Sequence, residues 1–169
     1  MIDNGSLETA RLLIRPFETG DIPDLIALFA DPKVAQYVGD GGPLPEDEAI
    51  LWVRKSRENL AHHGYGTGAI VKREGGPLIG WAGFARPETG GEEIIYGLAA
   101  EHWRQGFGTE ILLGLLKFAD TKGIAPVLAT VDPDNHVSSQ LLLKHGFEFV
   151  EHNHGGDPDS DLYRRDGVS

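Results

Sequence analysis

The sequence contains no cysteine and only one methionine among its 169 residues. Without cysteine the chain has no disulfide, no thiol nucleophile and no cysteine ligand for zinc or an iron–sulfur cluster. A chain of this length buries enough apolar surface to fold without such cross-links. The composition fits a reducing compartment, and we expect a cytoplasmic protein.

Basic residues are also scarce, with 15 Lys+Arg against 26 Asp+Glu and a formal net charge of −11. Nucleic-acid binding needs a basic stripe, so we expect no nucleic-acid partner. No apolar run is long enough to span a bilayer and the first residues do not resemble a secretion signal, so we expect no membrane association. The acidic surplus is compatible with a cationic substrate, although a solubilising surface explains it more simply.

The pattern of strands and helices predicts one α+β domain, residues 1–169, with no repeat or long linker. Segments rich in Ile, Val, Trp and Tyr predict strands at 68–72, 78–84 and 93–98, and their short Gly/Pro turns imply antiparallel neighbours. Further strands are predicted at 11–15, 126–131, 147–150 and 162–165, and helices at 25–29, 46–62, 109–122 and 138–145. The sum is a mixed, mostly antiparallel sheet of about seven strands flanked by helices.

A glycine-containing turn joins the strand at 93–98 to the helix at 109–122. Gly106 and Gly108 lack a Cβ, so the backbone can approach a ligand closely. The first amides of a helix have no intrahelical partner and lie at its positive end, where they bind anions such as a diphosphate. The alternative is that the glycines only permit a tight turn. A dinucleotide fingerprint would need a third glycine, and no Lys-Ser/Thr follows as in a P-loop.

Four segments resemble the GCN5-related N-acetyltransferases (GNATs), especially their RimJ/RimL-like branch. The opening Thr9-Ala10-Arg11-Leu12-Leu13-Ile14-Arg15 is similar to that branch's T-x-R-L-x-L-R, and Leu78-Ile79-Gly80-Trp81-Ala82-Gly83 to its central strand. Trp103-Arg104-Gln105-Gly106-Phe107-Gly108-Thr109-Glu110 resembles the acetyl-CoA turn, with Arg104 where the branch usually has Gly. Asn135-His136-Val137-Ser138 and Lys144-His145-Gly146-Phe147 resemble its N-x-x-S and K-L-G-F elements.

The resemblance implies the GNAT fold with splayed central strands and direct transfer of an acetyl group from acetyl-CoA to a primary amine, without a metal. The amine would belong to a protein N-terminus or a small molecule, and the enzyme would be a monomer or homodimer. A non-catalytic acyl-CoA-binding module with the same fold is the alternative. The residues that the resemblance assigns to acetyl-CoA are Leu98, Ala99, Ala100, Trp103, Arg104, Gln105, Gly106, Phe107, Gly108, Thr109, Asn135 and Ser138.

Two side chains are candidates for the chemistry that the resemblance implies. Glu93 begins the strand that leads to the thioester and is our candidate general base; the alternative is a solvated acid at a strand end. Ser138 resembles the residue placed near the coenzyme A sulfur, where a hydroxyl can donate a hydrogen bond; the alternative is a helix cap. The amide of Leu98 would polarise the thioester carbonyl, and Asn135 would either bind pantetheine or shape its turn.

Three other features point to no function. The run from Asp157 to Asp161 begins like a calcium loop, but Leu162 stands where such a loop needs glycine. The pairs His62-His63 and His152/His154 lack a third metal ligand at a recognisable spacing.

The acceptor pocket is expected between residues 36 and 45 and at the C-terminal hairpin, where no motif identifies it.

Overall fold

The computed structural model describes residues 5–36, 38, 41–85 and 92–167. Its strands are β1 (Leu7–Glu8), β2 (Leu12–Pro16), β3 (Thr67–Lys72), β4 (Gly80–Ala85), β5 (Glu92–Leu98), β6 (Val127–Val131), β7 (Glu148–Glu151) and β8 (Asp161–Arg165). Its helices are α1 (Ile22–Phe29), α2 (Pro32–Ala35), α3 (Glu46–His63), α4 (Phe107–Lys122) and α5 (His136–Lys144). None of the helices in these ranges is both long and apolar enough to span a membrane.

The strands follow the order β1-β2-β3-β4-β5-β6-β8-β7 in one sheet. β1, β2, β3 and β4 pair antiparallel in succession, and β6 and β7 both pair antiparallel with β8. β5 pairs in parallel with β6, through Glu92 with Val127 and Glu93 with Leu128. The predicted mixed, mostly antiparallel sheet is confirmed. The described residues form eight strands, against about seven expected, because the two-residue β1 is too short to show strand alternation.

The helices differ from their predicted ranges mainly at the N-terminus. α4 begins at Phe107 rather than at residue 109, and α5 begins at His136 rather than at residue 138. The four-residue α2 was not predicted. α3 matches its predicted start and ends at His63, and Gly64 follows with a φ of 80°, the left-handed conformation found after many helices. Helix starts are hard to place from sequence because the first turn needs no apolar periodicity.

The chain forms two compact units. Met1–Ala85 and Ile95–Leu115 form unit 1, and Arg86–Ile94 and Leu116–Ser169 form unit 2. That residues 1–169 act as one acetyltransferase domain therefore stays a prediction.

An aromatic cluster fills the core of unit 1. Trp52 of α3 packs edge-on against Phe17, Phe29 and Trp81, with ring centroids 5.7–5.9 Å apart. Trp81 in turn lies directly on β5 at Gly97, where an added Cβ would come within 2.3 Å of the indole. Only glycine permits this approach, so the cluster determines where the C-terminal half of β5 lies within unit 1.

In unit 2 apolar side chains of β6, α5 and β8 are buried. Val127 and Ala129 are buried, as are Leu142 of α5 and Leu162 and Tyr163 of β8. Tyr163 pairs with Ala129 and packs edge-on against Phe149. Tyr163 therefore has a packing role in unit 2.

A partly buried ion pair ties β2 to the start of α1. Arg15 donates from both terminal nitrogens to the carboxylate of Asp21, each at 2.9 Å. The N–H of Glu18 also donates to Asp21, at 2.8 Å, and the side chain of Asp21 is only 6% exposed. Asp21 is the N-cap residue of α1, but its carboxylate makes no capping bond to that helix.

We expect Asp21→Asn to lower the free energy of unfolding by about 2 kcal/mol near neutral pH, because a neutral amide cannot accept the charge-assisted bonds from Arg15. Burial by itself raises the pKa of Asp21, but the bonds from Arg15 and Glu18 outweigh it and the net pKa is lowered. The contribution is therefore complete above the ordinary Asp pKa and is lost as the pH falls through the lowered pKa of the folded state.

Denaturant titration at several pH values measures this effect. The gap between wild type and Asp21→Asn should narrow on acidification, and a gap that does not change with pH would contradict the assignment. Asp24→Asn, at an exposed position of the same helix, is the matched control and should change stability little.

Candidate active site

Trp103 anchors the turn between β5 and α4 to the end of β5. Its indole Nε1–H donates to the carbonyl of Leu98 at 2.9 Å, and its backbone N–H donates to the carbonyl of Ala100 at 3.1 Å. Both donors of Trp103 therefore have partners inside unit 1. The residue sets where the turn starts relative to the strand.

The backbone of Ala99 is engaged on both sides. Its N–H donates to the carbonyl of Ile79 at 2.8 Å, and its carbonyl accepts from the N–H of His102 at 2.9 Å. We predicted that the backbone at Leu98, Ala99 and Ala100 pairs with the pantetheine arm. With Ala99 occupied, that prediction depends on the N–H groups of Leu98 and Ala100.

Two residues of the turn adopt positive φ angles, Arg104 at 61° and Gly106 at 81°. Glycine takes this conformation without steric cost, whereas a residue with a Cβ is disfavoured by about 1–2 kcal/mol. Left-handed residues within such a turn direct successive N–H groups towards a common point, as in anion-binding nests. The conformation at Arg104 must be maintained by its surroundings.

The start of α4 presents four N–H groups without an acceptor in the described part of the chain. They belong to Gly106, Phe107, Gly108 and Thr109, and the first helical bond is made by the N–H of Glu110 to the carbonyl of Gly106 at 3.1 Å. These groups lie at the positive end of a 16-residue helix. The turn therefore has the donors that an anion site requires.

Gly108 separates the two interpretations of the glycines. Gly106 needs its positive φ for the turn, but Gly108 has no such φ, and a Cβ added there would meet nothing within 4 Å. The fold of the described residues thus does not require glycine at position 108. A side chain there would instead extend into open space.

Arg11 brings a second cation to this turn, which the sequence analysis did not anticipate. Its Nε donates to Glu110 at 2.8 Å and its Nη1 donates to the carbonyl of Gln105 at 2.9 Å. The distance of 94 residues between Arg11 and Gln105 hides this contact from any local pattern. The one signal was the place of Arg11 in the opening motif.

In unit 2, Glu93 is held by a neighbour that sequence reasoning missed. The hydroxyl of Thr130 donates to the Oε1 of Glu93 at 2.6 Å, next to the parallel pairing of Glu93 with Leu128. Glu93 is half-buried rather than freely solvated, which disfavours the view of it as a surface acid. One oxygen of its carboxylate is fixed by this hydrogen bond.

Asn135 and Ser138 meet at the start of α5. The Oδ1 of Asn135 accepts from the backbone N–H of Ser138 at 3.3 Å, so Asn135 caps the helix. The suggestion that Ser138 itself is the cap is wrong, because the helix begins at His136. Within the described ranges the hydroxyl of Ser138 makes no hydrogen bond and is free to act on a ligand.

Tyr96 lies on β5 between Ile94 and Leu98 and was not singled out by its sequence. Burial raises its pKa to about 12, so the phenol stays protonated throughout the physiological range. Its hydroxyl can therefore donate a hydrogen bond but cannot act as a base.

The features that the sequence left without function form ordinary surface interactions. His152 and His154 pair with Asp161 and Glu151 at 2.8 and 2.7 Å. Asp157 accepts from the N–H of Asp159 in a turn. In the ranges that the structure covers, no three His, Asp or Glu side chains come together as a metal site. The expected acceptor region falls partly on residues 37, 39 and 40, which lie outside the described residues.

Comparison with known proteins identifies the family of this chain. Residues 11–148 match the model of the acetyltransferase (GNAT) domain. The chain belongs to the GNAT family of acetyltransferases. It is 30% identical over 145 residues to the uncharacterized N-acetyltransferase YoaA of Bacillus subtilis. The matched region covers 84% of this chain and 82% of YoaA.

Solved GNAT structures share the fold. An acetyltransferase from Agrobacterium tumefaciens superposes with a TM-score of 0.82 at 24% identity, covering 97% of this chain and 95% of that one. RimL, a ribosomal L7/L12 alpha-N-protein acetyltransferase in complex with coenzyme A, superposes with a TM-score of 0.77 at 18% identity, covering 96% and 98%. The predicted GNAT fold, with its splayed central strands, is confirmed, as is the assignment to the acyltransferases.

The two glycines should respond differently to the same substitution. Gly106→Val forces a β-branched residue into a left-handed conformation, and we expect a loss of about 2 kcal/mol in the free energy of unfolding. Gly108→Val places its side chain in open space at a helical position, and we expect a change below about 0.5 kcal/mol. Thermal and denaturant unfolding measure both effects. Equal losses would show that Gly108 is also required by the fold.

Proposed function

We propose that this GNAT protein transfers the acetyl group of acetyl-CoA directly to a primary amine. The observation that supports this most is the set of four open N–H groups from Gly106 to Thr109, in a chain whose family is that of acetyltransferases. The complex of RimL with coenzyme A supports the same choice of acyl donor. The absence of cysteine accords with our proposal of a cytoplasmic enzyme.

The diphosphate of acetyl-CoA fits the start of α4 because backbone amides supply its donors. A protein with a net charge of −11 gains little from long-range attraction of an anion, so local donors at a helix N-terminus are the effective means. The open space in front of Gly108 leaves room for the phosphate oxygens. Asn135 and Ser138, at the start of α5, are the candidates of unit 2 for contacts with the pantetheine arm.

The acceptor amine must lose a proton before it attacks. At neutral pH a lysine-like amine needs about 4.6 kcal/mol for deprotonation, whereas an α-amine needs only about 1.4 kcal/mol. Glu93 is our proposed base, because the bond from Thr130 holds its carboxylate in one orientation while leaving the other oxygen to accept a proton. Acetyl-CoA supplies an activated acyl group, so no covalent enzyme intermediate is needed.

The remaining chemistry falls to neutral donors. The N–H of Leu98 is proposed to polarise the thioester carbonyl. The hydroxyl of Ser138 is proposed to donate a hydrogen bond to the departing sulfur. RimL acts on an alpha-amine by its name, and we propose a protein N-terminus or a small cationic amine as the acceptor class for this chain.

Release of free coenzyme A thiol from acetyl-CoA, in the presence of a panel of peptide α-amines, lysine peptides and polyamines, tests the proposed function. We expect thiol release with at least one amine. Binding of acetyl-CoA without release for any amine would favour a non-catalytic acyl-CoA-binding module instead.

Gly108→Val, which should remain folded, should lose acetyl-CoA affinity by at least about ten-fold. Gly20→Val is the matched control, because Gly20 is another glycine that has open space.

Glu93→Gln should lower kcat by about 100-fold or more while leaving the KM for acetyl-CoA nearly unchanged, because the amide cannot take the proton. The loss should shrink at high pH, where the amine is already neutral. Thr130→Val is the companion variant, since it removes the orienting hydroxyl and keeps the carboxylate, and it should cost less. A pH profile of kcat identical to that of wild type would exclude Glu93 as the base.

A further inference from the structure

Arg11 contacts the glycine turn and the first turn of α4 at three points. Its Nε donates to Glu110 at 2.8 Å, its Nη1 donates to the carbonyl of Gln105 at 2.9 Å, and its guanidinium lies 4.2 Å from the centroid of the Phe107 ring. Gln105 and Glu110 flank residues 106–109, whose N–H groups are open, and Phe107 lies among them. Arg11, from the connection between β1 and β2, thus forms hydrogen bonds on both sides of the candidate diphosphate site.

Glu110, in the first turn of α4, makes further hydrogen bonds to the segment that carries Arg11. Its Oε2 accepts from the backbone N–H of Arg11 at 2.9 Å and from the hydroxyl of Thr9. Although its partial burial alone would raise the pKa of Glu110, the bonds from Thr9 and Arg11 outweigh that effect and the net pKa is lowered. The carboxylate is charged, and without Arg11 its negative charge would oppose an anion at the helix N-terminus.

The turn needs such support because of its backbone. Arg104 has a φ of 61°, and in a residue with a Cβ this conformation persists only when neighbouring groups determine it. Gly106, with a φ of 81°, follows two residues later. The carbonyl of Gln105 stands between these two residues and is the atom that Arg11 holds. A planar guanidinium can bridge Gln105 and Glu110 at once, whereas a lysine ammonium is a single point of charge.

We propose that Arg11 is a positioning residue for acetyl-CoA: its fork, braced by Glu110, holds the turn so that the N–H groups from Gly106 to Thr109 face the diphosphate. This inference rests on the proposed function and adds to it a residue from the opposite end of the chain. The guanidinium also balances the charge of Glu110, so that the helix N-terminus remains attractive to an anion.

The experiment compares two acyl donors, acetyl-CoA and S-acetylpantetheine, which carries the same thioester but no diphosphate. Titration calorimetry gives the Kd for acetyl-CoA, and thiol release with an active amine gives kcat/KM for both donors. The variants are Arg11→Gln and Arg11→Lys. Arg54→Gln is the matched control, because it removes the same charge from an exposed α3 pair with Glu58.

We expect Arg11→Gln to weaken acetyl-CoA binding by about ten-fold or more and to leave kcat/KM for S-acetylpantetheine within about two-fold of wild type. Arg11→Lys should recover only a small part of the loss, because it restores charge without the fork. Arg54→Gln should match wild type with both donors. Thermal unfolding of each variant verifies that it is folded, and Arg11→Lys serves alone if Arg11→Gln is not.

Three results would overturn the proposal. Unchanged acetyl-CoA affinity in Arg11→Gln would exclude a role of Arg11 in acetyl-CoA binding. An equal loss with both donors would show a general structural effect, and full recovery in Arg11→Lys would show that charge alone matters. A wild-type protein that binds no acetyl-CoA would instead refute the proposed function itself, so the two failures are distinguishable.

Discussion

The arrangement of unit 1 around its candidate site follows from one constraint, that the first N–H groups of a helix have no partner within it. In α4 this leaves four donors, from Gly106 to Thr109, without an acceptor in the described residues. The indole of Trp103 ties the turn to β5, and the aromatic cluster under Trp81 determines the path of that strand at Gly97. Core packing therefore determines where the N–H groups at the start of α4 lie in unit 1.

What the sequence could predict is what depends on neighbours in the chain. The glycine turn, the helix that follows it and the segments rich in Ile, Val, Trp and Tyr at β3, β4 and β5 are all local patterns, and the predicted elements are present. The errors in these local predictions concern where helices begin and how short a strand can be. α4 and α5 each begin two residues earlier than predicted, so that Asn135 rather than Ser138 occupies the cap, and β1 has only two residues from which to show a pattern.

Contacts between distant segments could not be found in this way. Thr130 is an ordinary β-branched residue of a buried strand until the parallel register brings it beside Glu93. Arg11 belonged to a motif, yet nothing in that motif says which carboxylate or carbonyl it meets. Tyr96 carries no signal at all, because its raised pKa arises from burial alone. These contacts and this burial depend on tertiary placement, which no short window of the sequence encodes.

A ligand held by main-chain donors has a particular relation to evolutionary change. Every amino acid except proline carries the same N–H group, so most substitutions between Gly106 and Thr109 alter the surroundings of these donors without removing them. The proteins that share this fold at 18% and 24% identity illustrate how far side chains can diverge around a constant backbone. Selection at such a site acts on shape and on the absence of obstructing atoms, which leaves the rest of the surface free to acquire new acceptors.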